Sequence, residues 1–295
     1  MTTRREFLSI AAAALINARR SFGLSSLDRA GVHLGAQTNA WPIDPANLDS
    51  FLSVLEQIWH TGYTGFETGY FNLTHHADQA GEVKQRIAAT GLTFFALHLA
   101  IPFEKCDPET LLPPESLYRP TAESALAFGA QHLVLSGAPA KSADQVKQKA
   151  AGLVCAAEFG SSLGLPVLYH NHDWEFTSPF QEIDSLFSET RNSPLRFLLD
   201  IGHAYHAGSD VLGFTGAHLE RIAAFHMRDY ASGRQVPLGS GSFPLASFAT
   251  LLRSRRWNGW ILNEEDSDGK QKLGLAVIDP AYRALEAAFA REISR

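Results

Sequence analysis

Eight short apolar runs alternate with longer amphipathic segments along the chain, and this repeat constrains the fold more than any other feature of the sequence. Most of the runs are continuously apolar, which is typical of parallel strands that helices cover on both faces. Glycines at positions 62, 91 and 164 each close an amphipathic segment before the next run and indicate helix C-terminal caps. The predicted strands are Val32–Thr38, Gly65–Gly69, Thr93–Ala100, His132–Gly137, Pro166–His172, Leu195–Ile201, Ile222–Met227 and Gly259–Glu264. The predicted helices include Leu48–Trp59, Glu82–Thr90, Glu115–Phe128, Gln145–Leu163, Phe180–Glu189 and Pro280–Arg291.

The length of the repeat predicts one α/β barrel. Eight units over about 265 residues average about 33 residues each, close to the unit of a (β/α)8 TIM barrel. No Pro/Ser-rich linker and no shift in composition divides the chain, so residues 26–295 are predicted to form a single TIM-barrel domain. An open, doubly wound sheet is the alternative.

The first 25 residues have the pattern of an export signal. Arg4 and Arg5 precede Phe7-Leu8 and a short apolar run over residues 10–16, which resembles a twin-arginine signal peptide. No clean Ala-x-Ala motif marks the cleavage site, and an ordinary amphipathic helix is the alternative. The signal predicts a contact with the twin-arginine translocase and a periplasmic or extracellular protein.

Composition and charge exclude several classes of protein. The net charge is −6, and removal of residues 1–25 would leave about −9, so binding of nucleic acid through its phosphates is not expected. The two cysteines, Cys106 and Cys155, are too few for a disulfide scaffold and too far apart for a zinc ribbon. Beyond the N-terminus, no apolar stretch approaches the ~20 residues of a membrane-spanning helix.

Four polar residues end the fifth to eighth predicted strands: His170, Asp200, His226 and Glu264. They are separated by 30, 26 and 38 residues, about one strand–helix unit each. In a parallel barrel such residues meet at the C-terminal rim, where TIM-barrel active sites lie. A lone residue of this kind is often a hydrogen-bonded rim residue or a helix cap. Two imidazoles and two carboxylates at successive strand ends instead predict a site for a divalent ion.

Other residues near these strand ends are candidates for contact with a substrate. His203 begins the loop after Asp200, where it could reach a substrate hydroxyl or bind a second metal. Arg228 could bind a carboxylate or phosphate or stabilise an enediolate oxygen. A surface ion pair of Arg228 is an equally weighted alternative. Trp174 offers a flat face for a sugar ring, although burial is the commoner fate of a tryptophan. The remaining candidates are Glu67, His98, His172 and Glu175.

Six segments in a fixed order resemble the sugar phosphate isomerase/epimerase superfamily of xylose-isomerase-like TIM barrels. The resemblance implies a metal on the four strand-end residues and substrate contacts from His203 and Arg228, although most relatives have lysine at the Arg228 position. The segments are Gly65-Phe-Glu67, Tyr169-His-Asn-His-Asp-Trp-Glu-Phe176, Asp200-Ile-Gly-His203, His226-Met-Arg-Asp229, Gly239-Ser-Gly-Ser-Phe243 and Gly259-Trp-Ile-Leu-Asn-Glu-Glu-Asp266.

One departure from the family pattern bears on the reaction. Many epimerases of the superfamily carry a metal-bound glutamate on strand five, which works with the strand-eight glutamate on opposite faces of the carbon. This chain has His170 at that position. The stretch 169–176 looks more like the inosose dehydratase side of the superfamily and like relatives that act on 3-keto sugars.

The resemblance and the residues together predict a divalent-metal-dependent sugar isomerase or epimerase that acts through an enediolate on a ketose or keto-sugar. Glu264 or Glu175 would remove a proton, and His203 or His172 would return it. A dehydratase or lyase acting on an inosose or 3-keto-glycoside is the alternative, and a non-catalytic periplasmic sugar-binding protein is a third hypothesis. An endonuclease IV-like enzyme is not expected, because Met227–Pro244 lacks the histidine that its further zinc site needs.

The export route also predicts the metal and the substrate class. A His/carboxylate site intrinsically prefers zinc or copper to manganese. Folding in the cytoplasm before export would allow Mn²⁺ or Mg²⁺ to be inserted first, with Zn²⁺ or Co²⁺ as the alternatives. An extracytoplasmic location favours an unphosphorylated sugar or glycoside as the small-molecule substrate.

Overall fold

A closed ring of eight parallel strands forms the centre of the molecule in the computed structural model, which describes residues 31–265 and 272–290. The eight strands follow one another around the ring in chain order, and every neighbouring pair is parallel. The predicted single (β/α)8 barrel is therefore confirmed. The strands are β1 (Val32–Gln37), β2 (Gly65–Gly69), β3 (Thr93–Leu99), β4 (His132–Ser136), β5 (Val167–His170), β6 (Arg196–Asp200), β7 (Ile222–Met227) and β10 (Gly259–Asn263), with a separate hairpin of β8 (Asp229–Ala231) and β9 (Arg234–Val236).

Helices surround the ring, and local capping determines where several of them begin and end. The Asn47 side chain accepts hydrogen bonds from the first turn of α1 (Leu48–Thr61), and the Ser142 side chain accepts one from the first turn of α4 (Ala143–Leu163). Gly164, at φ 72°, ends α4 in the left-handed conformation that favours glycine. The helices are α1 (Leu48–Thr61), α2 (Ala80–Ala89), α3 (Glu115–Phe128), α4 (Ala143–Leu163), α5 (Asp173–Thr177), α6 (Glu182–Glu189), α7 (Ile201–His206), α8 (Val211–His218), α9 (Leu245–Ser254) and α10 (Leu275–Ala290).

Two apolar clusters make up the core. The larger one fills the space between the strands and the surrounding helices. The smaller one includes Leu168, Leu198, Ala224 and Leu262, each of which lies two residues before one of the four predicted metal ligands. Side chains two residues apart on a strand point to the same face, so the candidate site lies directly above this cluster.

The structure also contains elements that the sequence pattern did not predict. Helices α5, α7, α8 and α9 and the β8–β9 hairpin are additional, and α10 begins five residues earlier than predicted. The predicted fifth strand is shortened at its end, because His172 is already the N-cap of α5.

The N-terminal prediction lies outside the described residues. The twin-arginine signal at residues 1–25 therefore remains a prediction, as does the export that it implies. Across 31–265 and 272–290, the structure contains no helix long and apolar enough to cross a membrane.

Candidate active site

His170, Asp200, His226 and Glu264 converge at the C-terminal rim of the barrel. Each is at most 4% exposed, and one donor atom from each lies within 4.8 Å of the other three. Strand register produces this convergence, since Asp200 and His226 are direct partners across β6 and β7. Glu264 follows the last residue of β10, and its amide donates to the Met227 carbonyl at the end of β7.

In each carboxylate of this cluster, one oxygen accepts a hydrogen bond from another protein group and the other oxygen faces the centre of the cluster. Asp200 Oδ1 accepts a 2.8 Å hydrogen bond from the His203 amide and so caps α7. Glu264 Oε1 accepts a 3.0 Å hydrogen bond from Asn39 Nδ2. Asp200 Oδ2 and Glu264 Oε2 remain to face the two imidazoles.

The imidazoles follow the same division of roles. His226 Nε2 lies 2.9 Å from Glu67 Oε2, which leaves Nδ1 facing Glu264 Oε2 at 2.5 Å. His170 Nδ1 lies 3.4 Å from the Ser136 hydroxyl, which leaves Nε2 facing Asp200 Oδ2 at 3.5 Å.

These four residues fit a divalent ion. Their inward atoms, His170 Nε2, Asp200 Oδ2, His226 Nδ1 and Glu264 Oε2, are buried and face one another and the Arg228 guanidinium. Buried polar atoms are normally satisfied, and two imidazole nitrogens and two carboxylate oxygens directed at one point form a donor set that a divalent cation could satisfy. Imidazole and carboxylate ligands suit Zn²⁺, Mn²⁺ and similar ions.

Arg228 lies beside the same carboxylates and not in a surface ion pair. It is 3% exposed, its Nε is 2.8 Å from Asp200 Oδ2, and its Nη2 is 2.7 Å from Glu264 Oε2. The side chain passes directly over Gly202, where an added Cβ would lie 2.0 Å from Arg228 Cγ. Glycine at 202 is therefore required for this placement of the guanidinium.

Electrostatics in the cluster favour ionised carboxylates. Burial raises the pKa values of Asp200 and Glu264, but Arg228 and the neighbouring histidines outweigh it and hold both pKa values well below their usual range. Burial lowers the pKa of His226, while Glu264 and Glu67 raise it well above its ordinary value.

A cavity of about 340 Å³ opens above the cluster, within the size range of small-molecule sites. His203 and His172 line it together with Arg228, and Phe71, which is 49% exposed, also faces it. Burial lowers the pKa of both histidines, so both imidazoles are neutral near pH 7. The other lining residues are Gln37, Asn39, Gly69, His98, Ala100, Ser136, His170 and Glu264.

Two of the predicted site residues support the pocket from behind. Trp174 stacks on His172 with ring centroids 4.0 Å apart and contacts Phe103 edge-on. Glu67 is fully buried and bonds both His226 and His98. His98 does line the cavity, although both of its ring nitrogens are engaged by protein groups.

Glu175 is a predicted catalytic residue whose side chain does not line the cavity. Its side chain is fully buried and faces Lys149 Nζ at 3.2 Å and the Tyr169 hydroxyl at 2.5 Å. Lys149 also donates to Glu182 Oε1 at 2.7 Å. Glu175 Oε2 in turn accepts the His172 amide at 2.8 Å, so this cluster holds the loop that carries His172.

Sequence reasoning missed several residues that shape the site. Asn39 and Ser136 lie at or just after strand ends, so the same positional rule could have identified them. The Asn171 side chain hydrogen-bonds both the amide and the carbonyl of Asp200 and so fixes the end of β6. Lys149 comes from a helix and gives no comparable signal.

Comparison with known families identifies the fold family. A family model described as "Xylose isomerase-like TIM barrel" matches residues 55–289. The chain belongs to this family. Membership agrees with the resemblance seen in the sequence and with the barrel described above.

Individual relatives of this barrel are distant. An inosose dehydratase of Salmonella agona is 24% identical over 139 residues, 41% of this chain and 46% of the relative, so the chain spans about half the length of the curated relatives it matches. A structure of L-ribulose 3-epimerase superposes with a TM-score of 0.71 at 17% identity, covering 87% of this chain and 95% of that one. The apo 3-keto-D-glucoside 4-epimerase of E. coli gives a TM-score of 0.65 at 14% identity, covering 87% and 98%. Structural likeness at this identity shows the shared fold.

Proposed function

We propose that this protein is a divalent-metal-dependent enzyme that removes a proton beside a carbonyl group of a ketose or keto-sugar, isomerising or epimerising it through an enediolate. The convergence of His170, Asp200, His226 and Glu264 beneath a cavity that also contains Arg228 and two neutral histidines carries the proposal. A module that only binds sugars has no need of four buried ligands aimed at one point.

A divalent ion held by these four residues would polarise the substrate carbonyl and acidify the adjacent C–H bond. The chain's own residues supply the rest of the chemistry. Arg228 is positioned to donate to an oxygen that gains negative charge. Since the substrate would then compete for its guanidinium, the pairs with Asp200 and Glu264 are expected to loosen as substrate binds.

His203 is our proposed proton carrier. It lines the cavity, burial keeps it neutral, and its Nε2 lies 3.7 Å from Asp200 Oδ2, which would stabilise the imidazolium formed when it accepts a proton. Glu264 or His172 would then exchange a second proton with the substrate. Glu175 is not part of this proposal because its carboxylate faces Lys149.

Dehydration of an inosose or a 3-keto-glycoside is the second candidate. His170 occupies the strand-five position where a two-glutamate epimerase would carry its second carboxylate. The site therefore lacks that pair of glutamates, which favours a reaction in which a single residue both removes and returns the proton. In this version, His203 takes the C–H proton and returns it to the departing β-oxygen as the C–O bond breaks. The inosose dehydratases among the relatives support this candidate.

The location and the metal are further parts of the proposal. The twin-arginine pattern at residues 4–8 supports export as a folded, metal-loaded protein, with Mn²⁺ or Mg²⁺ as the native ion. Export also supports a neutral sugar or glycoside as the substrate. Tightly held zinc in protein purified from the periplasm would contradict the choice of metal.

The test combines metal content with hydrogen exchange in ²H₂O. We expect about one divalent ion per chain, lost in both Asp200→Ala and Glu264→Ala. With the metal present, ketoses, an inosose and a 3-keto-glucoside are then followed by NMR for deuterium incorporation beside the carbonyl. Incorporation with a new stereoisomer supports isomerisation, and loss of water or aglycone supports elimination. Sugar binding that survives chelation, with no exchange in any substrate, would instead indicate a binding protein.

A further inference from the structure

Three polar residues link the outer sides of the two metal-facing imidazoles. Glu67 Oε2 lies 2.9 Å from His226 Nε2, and Glu67 Oε1 lies 2.8 Å from His98 Nδ1. The other nitrogen of His98, Nε2, lies 2.7 Å from the Ser136 hydroxyl. That hydroxyl lies 3.4 Å from His170 Nδ1, so a chain of contacts runs from one predicted ligand to the other.

The carboxylate of Glu67 determines the direction of every hydrogen bond in this chain. Glu67 is fully buried, and each of its two oxygens lies within hydrogen-bond distance of one imidazole nitrogen. An ionised carboxylate only accepts, so His226 Nε2 and His98 Nδ1 must both donate their N–H groups to it. An imidazole that donates from Nδ1 has its lone pair at Nε2, and in His98 that nitrogen lies 2.7 Å from the Ser136 hydroxyl.

The remaining directions follow in sequence. The Ser136 hydroxyl must donate to His98 Nε2, which leaves its oxygen as the acceptor for His170. His170 Nδ1 then donates its N–H to Ser136, and its Nε2 lone pair faces the centre of the site. His226 holds the proton on Nε2 against Glu67, so Nδ1 is the nitrogen that it can offer to an ion. His170 Nε2 and His226 Nδ1 are the inward atoms of the candidate metal site.

We infer that Glu67, His98 and Ser136 are positioning residues that fix which nitrogen of His170 and of His226 is available to a metal ion. This inference rests on the proposed metal-dependent function and extends it to residues that touch no metal. Hydrogen bonds to the outer nitrogen of metal-bound histidines commonly fix the tautomer and orient the ring. Here a single carboxylate acts on two such histidines at once, one directly and one through His98 and Ser136.

The variant Glu67→Gln tests the inference because an amide offers one acceptor and one donor. If its NH₂ faces His98, the whole chain reverses and His170 carries its proton on Nε2, toward the metal. If its NH₂ faces His226, the proton of that ring moves to Nδ1, again toward the metal. In either orientation one ligand is blocked, although the side chain keeps its size and shape.

Metal affinity measured by titration calorimetry with Mn²⁺ or Zn²⁺ is the first readout. We expect Glu67→Gln to weaken binding about 10–100-fold and Ser136→Ala to weaken it about tenfold. Ser136→Thr keeps the hydroxyl and is expected to retain most of the affinity. Glu182→Gln is the matched control, since it neutralises an equally buried carboxylate bonded to Lys149 but lies outside this chain of contacts.

A double-mutant cycle separates the tautomer effect from a simple charge effect. Removal of the Ser136 hydroxyl breaks the chain of hydrogen bonds between Glu67 and His170. The loss of metal affinity caused by Glu67→Gln is therefore expected to be several-fold smaller in the Ser136→Ala background than in wild type. Histidine ¹⁵N–¹H correlation spectra of the zinc-loaded wild type are expected to show His98 protonated at Nδ1 and free at Nε2.

Additive effects of the two substitutions, or a His98 protonated at Nε2, would overturn the positioning role while leaving the proposed function intact. A wild-type protein that binds neither ion would overturn the proposed metal dependence as well. The two failures are therefore distinguishable, and neither measurement requires the substrate to be known.

Discussion

Replacement of Lys149 by methionine tests how the loop beside the active site is held. Lys149 Nζ is completely buried and has three oxygen partners: the Ala138 carbonyl at 2.9 Å, Glu182 at 2.7 Å and Glu175 at 3.2 Å. Methionine fills a similar volume but carries neither charge nor donor. Two carboxylates would then remain buried without their cation.

The expected cost follows from the burial of this cluster. Removal of one partner from a buried ion pair destabilises a protein by about 3–5 kcal/mol. Since domains of this size lose ~2–4 °C in Tm per kcal/mol, we expect Tm to fall by about 6–20 °C. A native stability of ~5–15 kcal/mol leaves the variant folded under mild conditions.

The loss is expected to depend on pH. Burial raises the pKa of Glu175, against the opposing effects of Lys149 and Tyr169. A raised pKa in the folded state means that the stability from this group is present below the unfolded pKa of ~4.3 and is lost as pH rises through the folded pKa. Without Lys149 the pKa of Glu175 rises further. The loss of unfolding free energy in Lys149→Met is therefore expected to be larger at pH 8 than at pH 5.

Urea unfolding of the metal-free protein at pH 5 and pH 8 measures both effects. Lys147→Met is the matched control, because Lys147 lies on the same helix, α4, and is exposed. A loss of less than ~1 kcal/mol in the free energy of unfolding at both pH values, which is the contribution of a surface ion pair, would refute the reasoning. Adding Glu175→Gln and Glu182→Gln to Lys149→Met should restore part of the stability, since no buried charge would then remain.

Two further predictions concern groups that face the substrate. Gly202→Ala is expected to push Arg228 aside and to lower kcat/KM by about 100-fold with metal content unchanged, whereas Gly81→Ala, which has open space around it, should be silent in steady-state kinetics. His203→Gln is expected to lower the rate of deuterium incorporation by about 10²–10⁴-fold without loss of metal, and an unchanged rate would remove His203 from the proposed proton transfer.

The barrel and the convergence of His170, Asp200, His226 and Glu264 were predictable because both depend on regular periodicity. Strands β2 and β7 have the predicted ends, and the apolar residue two positions before each of the four residues fixes the face on which it lies. Since the strands of a parallel barrel share one C-terminal rim, spacing along the chain translates directly into proximity in space.

The direction of individual side chains in loops was not predictable in this way. Glu175 faces away from the cavity because Lys149, contributed by α4, provides a buried cation on the opposite side. Helix α7 was also missed, because the carboxylate that caps it belongs to Asp200, the last residue of an apolar strand. The direction of the Glu175 side chain and the start of α7 both depend on contacts between elements, and the sequence has no periodic pattern that predicts such contacts.

The double role of Asp200 leads to one more prediction, in which folding and metal binding separate. Its Oδ1 caps α7 through the His203 amide, while its Oδ2 faces the site. Asparagine caps helices as well as aspartate does, so in Asp200→Asn the side-chain oxygen is expected to keep the cap and turn the NH₂ group toward the metal. Asp200→Ala loses both interactions and should be less stable than Asp200→Asn by about 1 kcal/mol, although both variants should fail to bind the ion. Metal titration and unfolding of the two variants measure this difference, and retention of wild-type metal affinity by Asp200→Asn would show that Oδ2 is not a ligand.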